Sequence, residues 1–455
     1  MSAVVNNRFK VLAGRFSLWV GGRVPSPMRL MLSAFAVGLL AGTAAWGLKR
    51  MIGGVSHIIS GHLSALHANW VLLLLPVVGI LLAAVFQRYV IHREIYHGVD
   101  RLNQGLKSGK NRLPLSLTVT PMIASTFTLG FGGSAGSEGP IAYTGAAIGS
   151  NVGKLLGMSP SMMKVLVACG ASAGIAGIFK APIGGAFFAL ECLVVEMGSA
   201  SIIALMIASV TAGLMAYVLS GCTPDIYFTC DTAFDMHWIP WVMALGVFCG
   251  LYSVYYQSIM VRMQAFYAAM RNHWFKNLLA GGIIGGAVFL FPALYGEGYG
   301  FISSMLADDT DALTPFSLFA GDSAHTTLVL LMLGGMMLLK AFATSSATSG
   351  GGVAGDFAPS LFAGCIAGYF FVTVANVLFG VALPVGYFAF FGMGAVMAAT
   401  QRAPFMAIFL TVEMGAAFTL LLPVVIVSTV SYFIFRFLWA RVWRSVAMPS
   451  CRRGT

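Results

Sequence analysis

Five carboxylic acids lie inside strongly apolar stretches of this 455-residue sequence, at Glu138, Glu191, Glu196, Asp356 and Glu413. Placing a carboxylate at the centre of a membrane costs roughly 2.5 to 3.5 kcal/mol, so such residues are candidate functional groups. In that environment a carboxylate can carry a proton, compete with an anion for a binding site, or cap a helix. The chemistry of the protein is therefore expected at these positions.

Glu138 lies in the motif Gly136-Ser137-Glu138-Gly139-Pro140, where the proline favours the first turn of a helix. Helix N-termini present unpaired N–H groups and the positive end of the helix dipole, so they bind anions. A second motif, Gly355-Asp356-Phe357-Ala358-Pro359, predicts an equivalent terminus. We predict an anion site between the two termini, where Glu138 competes with the anion and acts as a gate. The alternative is that Glu138 only caps its helix.

The other acidic residues have structural interpretations as well. A carboxylate at Asp356 would repel an anion unless it points away, so we interpret this residue as a helix N-cap. Glu191 and Glu413 each follow a basic-Ala-Pro segment at the same spacing, and this symmetry favours helix packing for Glu413. The basic residues that could pair with these acids are Lys180, Arg402 and Lys340.

Apolar helices must position these groups. Of the residues, 58% are hydrophobic and 9% are charged, whereas soluble domains are roughly a quarter charged. This composition excludes a soluble enzyme and predicts an all-α polytopic membrane protein, with about ten to fourteen membrane segments for this length. The net charge of +11 is spread over short segments between apolar stretches, so we expect no nucleic-acid partner.

The distribution of charge predicts the topology. Lys and Arg concentrate at 8–29, 88–112, 262–276 and 436–453, and acidic residues concentrate at 225–235 and 297–322. By the positive-inside rule, the basic segments and both termini are cytoplasmic in a plasma (inner) membrane, and the acidic loops are external. Lys49 and Arg50 do not fit this pattern.

The two glycine-proline motifs belong to a repeat with opposite orientations. A basic loop precedes the first motif and an acidic loop precedes the second, so the halves are inverted. Inverted repeats with Gly/Pro-broken helices are typical of transporters, with the substrate site between the repeats. The predicted segments are a cytoplasmic amphipathic segment (1–29), a first membrane repeat (30–224), an external acidic loop (225–235), a second, inverted membrane repeat (236–436) and a basic cytoplasmic tail (437–455).

The motif at 136–140 resembles the G-(R/K)-E-G-P motif of the CLC family of chloride channels and chloride/proton antiporters, and 355–359 resembles its G-x-F-x-P motif. Segments similar to the late helices of that family lie at 392–395, 402–404, 413–414 and 421–423. The resemblance implies the CLC fold and a homodimer with one pore per subunit. It also implies that Glu138 gates the pathway and that N–H groups around Asp356 and Phe357 bind the anion.

The sequence departs from the family pattern at several sites, including the late tyrosine that contributes a hydroxyl to the anion site, whose approximate place is taken by Trp443-Arg444-Ser445. The first anion motif of the family falls at 96–100, where its coordinating serine is absent; Tyr96 or His97 could donate to the anion instead, or both only cap a loop. The internal glutamate that relays protons in the exchangers corresponds to Cys192. Glu191 or Glu196 could replace it, and the alternative for Glu191 is helix packing.

We therefore predict the transport of chloride or a similar small anion, either through a gated channel or in exchange for protons. A fluoride-preferring exporter is an alternative, because the family's serine is absent. A membrane scaffold without transport activity is more remote.

We expect no enzymatic activity, because the sequence lacks H-E-x-x-H, a P-loop lysine motif and G-x-S-x-G. No cofactor is expected, and no metal site, since His57, His62 and His67 do not share one helix face. Cys222 and Cys230 share a polar loop and could form a disulfide if that loop faces an oxidising compartment.

Overall fold

The computed structural model describes residues 25–62, 69–92, 99–109, 111–193, 198–226, 228, 234–308 and 326–451. Within these ranges the chain forms sixteen α-helices and no β-strand. In the first half these are α1 (Ser26–His62), α2 (Asn69–Val85), α3 (Val99–Lys107), α4 (Thr120–Gly130), α5 (Glu138–Leu155), α6 (Pro160–Phe179), α7 (Pro182–Cys192) and α8 (Ser199–Leu219). In the second half they are α9 (Ile239–Ala269), α10 (His273–Leu290), α11 (Tyr299–Leu306), α12 (Thr326–Ser349), α13 (Phe357–Phe379), α14 (Val385–Gln401), α15 (Pro404–Met414) and α16 (Leu421–Cys451).

Eight stretches among the described residues are long and apolar enough to cross a membrane, and three shorter apolar helices accompany them. The shorter helices are α7, α14 and α15. An eleven-residue helix such as α7 or α15 is about 16 Å long, so it cannot span a hydrocarbon core of about 30 Å. These are the broken helices that the sequence predicts. Of the predicted N-terminal segment 1–29, only residues 25–29 are described, and 26–29 already belong to α1.

The inverted repeat is visible in matching helix triplets. In the first repeat α5, α6 and α7 follow one another, and α13, α14 and α15 follow in the same order in the second. The middle helix of each triplet ends at a basic residue with left-handed backbone, Lys180 (φ 53°) and Arg402 (φ 56°). The following alanine and proline then start the short third helix. The two basic-Ala-Pro segments therefore form the same sharp turn in both repeats.

Glycines allow the first two helices of each triplet to pack backbone to backbone. A Cβ atom at Gly145 would lie 2.0 Å from the carbonyl oxygen of Gly170. In the second repeat, a Cβ atom at Gly364 would lie 2.2 Å from the carbonyl oxygen of Gly392. Both distances are far below contact distance, so only glycine is compatible with this packing.

The short helices α7 and α15 exchange carboxylate caps. The Glu413 carboxylate accepts hydrogen bonds from the N–H groups of Ile183 and Gly184, at 3.0 and 2.8 Å. The Glu191 carboxylate accepts from the first turn of α15, at the N–H groups of Phe405 (3.2 Å) and Met406 (2.7 Å). Each glutamate satisfies N–H groups that have no partner within their own helix. The repeats are thus tied together by two equivalent contacts.

Candidate anion-binding site

The N-termini of α5 and α13 meet where the two repeats touch. Gly136 and Gly355 form a mutual pair of backbone hydrogen bonds, with N···O distances of 3.0 and 2.7 Å. α5 begins two residues after the first glycine and α13 begins two residues after the second. The predicted pair of opposed helix N-termini is therefore present, and one helix comes from each repeat.

The carboxylate of Glu138 occupies the N-terminus of α13. Its Oε1 atom accepts hydrogen bonds from the N–H groups of Phe357 (2.5 Å) and Ala358 (3.2 Å). The side chain is buried, and its Oε2 atom has no hydrogen-bond partner among the described residues. The carboxylate of Glu138 therefore bonds to the first turn of the helix in the opposite repeat. It sits across the repeat interface, on the donors that would bind an anion.

The glycines of both motifs make room for this carboxylate. A Cβ atom at Gly136 would lie 2.0 Å from Oε2 of Glu138, and one at Gly355 would lie 2.6 Å from Oε1. Gly139 lies against the backbone of Gly355 as well. Gly136 and Gly355 thus have a steric role, because a side chain at either position would displace the carboxylate, and Gly139 allows the close backbone contact.

Asp356 differs from the prediction in one respect. It lies at the N-cap position of α13, but its side chain makes no capping hydrogen bond. The first two N–H groups of this helix bond to Glu138, and the third position is Pro359, which has no N–H. A carboxylate from the other repeat therefore replaces the expected local cap.

Apolar and basic side chains surround this site. The ring of Phe357 lies 5.8 Å from the ring of Phe188, centroid to centroid. Lys340 is fully buried; its Nζ donates to Ser134 Oγ at 2.9 Å and lies 4.5 Å from the centroid of Phe362. Lys340 thus bonds to a serine of the loop before α5, and it lies close enough to Glu138 to interact with it electrostatically.

A second carboxylate occupies the other helix N-terminus. Both the N–H group and the hydroxyl of Ser137 donate to Oε1 of Glu297, at 3.0 and 2.5 Å. The sequence indicates Glu297 only as part of an acidic external loop. A sequence signal did exist, because Glu297 lies between two glycines, Gly296 and Gly298, with positive φ directly before α11.

Lys49, which does not fit the predicted topology, belongs to an ionic cluster beside Glu297. Its Nζ lies 2.5 Å from Oδ2 of Asp225 and 5.1 Å from the ring centroid of Tyr299. Lys180 Nζ lies 2.9 Å from Oδ1 of the same aspartate. Burial raises the pKa of Asp225, but the two ammonium groups outweigh it and hold that pKa below its usual range. Lys180 and Lys49 thus pair with the loop, not with a membrane acid.

The remaining candidates are only partly described. Tyr96, His97 and Glu196 lie outside the described residues, and so does Cys230, so their roles and the disulfide to Cys222 stay predictions. Glu191 lies on the N-terminus of α15, at the contact given above. The sulfur of Cys192 lies 3.9 Å from that of Met406. Arg402 lies over the ring of Trp439, at 5.9 Å.

The fold and the site together define a multi-pass helical protein of inverted repeats, with carboxylates on two opposed helix N-termini at the repeat interface. The chain belongs to the voltage-gated chloride channel family, whose model matches residues 78–436. It is therefore an integral membrane protein, and the predicted fold class is confirmed.

Individual relatives agree with this assignment. The chain is 28% identical over 370 residues to the ClcB-like protein of Ralstonia nicotianae, covering 80% of this chain and 82% of the relative. It is 30% identical over 309 residues to the H+/Cl− exchange transporter ClcA of Vibrio cholerae, covering 66% of this chain and 62% of the relative. The structure of a slow cyanobacterial Cl−/H+ antiporter has the same fold, with a TM-score of 0.76, 23% identity and coverage of 93% and 99%.

Proposed function

We propose that this protein transports chloride across the plasma (inner) membrane, with both termini in the cytoplasm and Glu138 as the gate. The observation that carries the proposal is the position of Glu138 Oε1 on the N–H groups of Phe357 and Ala358. Those donors form an anion site at a helix N-terminus, and the carboxylate is the competing anion. Protonation of Glu138 neutralises the competitor and releases the site. The exchange of chloride in the Vibrio relative supports this assignment.

We further propose that coupling to protons is weak or absent. The position of the exchangers' internal glutamate is taken by Cys192, whose sulfur contacts a methionine. The neighbouring Glu191 is already bonded to two N–H groups of α15. These bonds occupy both oxygen atoms of Glu191, whereas Glu138 has one oxygen without a partner among the described residues. Glu191 is therefore the poorer proton carrier, because protonation of either oxygen would cost it a bond.

We also propose that the protein forms a homodimer through the face that α7 and α15 share. These helices are too short to span the membrane, so their ends need cover from protein. Their outer face carries exposed apolar residues, including Leu190 and Phe405, and Phe405 stacks on Phe187. A second copy of the chain would cover this face and leave one pathway in each subunit.

The test is chloride efflux from proteoliposomes that contain the purified full-length chain, with external pH recorded at the same time. We expect chloride flux that exceeds that of empty liposomes, with little accompanying proton movement. Proton uptake driven uphill by a chloride gradient would instead establish exchange and overturn weak coupling. Parallel efflux of fluoride and nitrate measures selectivity, and flux of fluoride without chloride would overturn the chloride assignment in favour of the fluoride alternative.

A further inference from the structure

We propose that Glu297 is a second, outer carboxylate that competes with the transported anion, at the N-terminus of α5. This inference rests on the proposed function, because it concerns the same pathway. Glu297 bonds to Ser137 as Glu138 bonds to Phe357, so each of the two opposed helix N-termini holds one carboxylate. The anion pathway is thus closed at two positions in series.

The hydrogen bonds show that the position of Glu297 is a binding site for a negative group. One oxygen atom, Oε1, accepts from both the N–H group and the hydroxyl of Ser137. The N–H belongs to the residue directly before α5, where the helix dipole adds positive potential. An anion that replaced the carboxylate would find the same two donors.

Glu138 supplies an independent observation. Its Oε2 atom is buried without a hydrogen-bond partner among the described residues, and Glu297 lies close enough to interact electrostatically with it. Two neighbouring carboxylates destabilise each other when both are charged. This repulsion helps an incoming anion to displace one of the two carboxylates from its helix N-terminus.

The surroundings of Glu297 also allow it to move. Glu297 is half-buried, and it lies between Gly296 (φ 66°) and Gly298 (φ 81°). Lys49, which is paired with Asp225 and also lies over the ring of Tyr299 at the start of α11, attracts this carboxylate electrostatically and retains partial exposure to solvent. A carboxylate displaced from Ser137 would therefore find a cation beside it, and we infer that Lys49 receives it.

Lys49 and Ser137 also account for a departure from the family motif. The G-(R/K)-E-G-P motif has a basic residue where this chain has Ser137. Here the positive charge comes from α1 instead, and the serine binds Glu297. This position of the motif is thus a neutral serine where the family has a basic residue, and the Glu297 carboxylate bonds to it.

The experiment measures chloride binding to the purified full-length protein by calorimetry, with chloride efflux from proteoliposomes in parallel. The variants are Glu297→Gln, which retains the shape and an acceptor oxygen, and Glu297→Ala, which removes both. Asp235→Asn is the matched control, because it removes one exposed acidic charge whose hydrogen bonds among the described residues go to His237. If the Glu297 carboxylate occupies the N-terminus of α5 about nine tenths of the time, only about one tenth of the sites are open to chloride. Removing the carboxylate would then lower the apparent Kd for chloride about tenfold.

We expect both Glu297 variants to bind chloride about tenfold more tightly and Asp235→Asn to match the parent. If Glu297→Gln binds chloride like the parent, Glu297 is only a helix cap and the inference is wrong, whether or not Glu297→Ala folds. A parent protein that neither binds nor transports chloride would instead overturn the proposed function, and the inference with it. The two failures are therefore distinguishable.

Discussion

At the scale of single residues, the proposed gate depends on the position of the Glu138 carboxylate. One carboxylate oxygen occupies two N–H groups of the opposite repeat, and the other oxygen is buried without a partner. The hydrogen bonds from these N–H groups are strong because the accepting carboxylate is ionised. Neutralising it by a proton weakens those bonds, so the proposed gate predicts that chloride access to the site depends on pH.

Glu138→Gln is expected to remove most of the pH dependence of chloride flux, because the amide carries no charge at any pH. In the parent, flux should rise as pH falls and Glu138 becomes protonated. The measurement is chloride efflux from proteoliposomes between pH 4.5 and 7.5, a range that begins just above the ordinary glutamate pKa of about 4.3. A variant whose flux varied with pH like the parent would show that Glu138 is not the gate.

Asp225 gives a second pH prediction, this time on stability. Because the pKa of Asp225 is lower in the folded protein than in the unfolded chain, its stabilising effect is complete above the unfolded value of about 3.9. That effect is lost as pH falls through the folded pKa. We expect Asp225→Asn to lower the melting temperature at pH 6 relative to the parent, and the gap to shrink at pH 3.

Thermal unfolding in detergent at both pH values measures this difference. Asp235→Asn is again the control, since Asp235 is exposed and contacts only His237 among the described residues. A difference in melting temperature between Asp225→Asn and the parent that stayed constant from pH 6 to pH 3 would contradict the stabilisation of the fold by ionised Asp225 between Lys49 and Lys180.

At the scale of helices, the repeats depend on close backbone packing between α5 and α6 and between α13 and α14. Gly364→Ala would place a methyl group against the carbonyl oxygen of Gly392, which neither backbone can avoid. We expect a loss of about 3 kcal/mol or more in the free energy of unfolding. Thermal unfolding of the purified variant is the measurement.

Gly282→Ala is the matched control for that substitution. It also lies inside a long apolar helix, α10, but a Cβ atom there would meet no atom within 4 Å. Its stability should stay within about 1 kcal/mol of the parent. If the two variants were equally stable, the close packing of the second repeat would not be what requires glycine.

The sequence predicts some of these elements and not others, for a physical reason. Local motifs predict the two helix N-termini, since glycine and proline act on the residues beside them. The contact between Glu297 and Ser137, and the cluster of Lys49 with Asp225, join residues far apart in the chain. Only tertiary packing brings such residues together, so no local pattern could indicate them. For Asp356 the local pattern predicts a helix cap, but the Glu138 carboxylate from the other repeat takes the place of that cap.

At the scale of the whole molecule, the inverted repeat requires opposite orientations of the two halves. Asp235 lies directly before the second repeat, in the predicted external loop, and Arg271 lies in a predicted cytoplasmic segment; both are exposed. In a background that carries both Cys222→Ser and Cys230→Ser, a membrane-impermeant maleimide added to intact cells should label Asp235→Cys and not Arg271→Cys. Labelling of both residues, or of Arg271→Cys alone, would contradict the predicted topology.

The most direct test of the central claim is a crystal structure of Glu138→Gln grown with bromide, compared with the parent under the same conditions. Bromide stands in for chloride and is located by its anomalous scattering. In the variant we expect a bromide ion that accepts hydrogen bonds from the N–H groups of Phe357 and Ala358. In the parent we expect the Glu138 carboxylate at that position. No bromide at those donors in the variant would contradict the claim that Glu138 and the anion compete for one site.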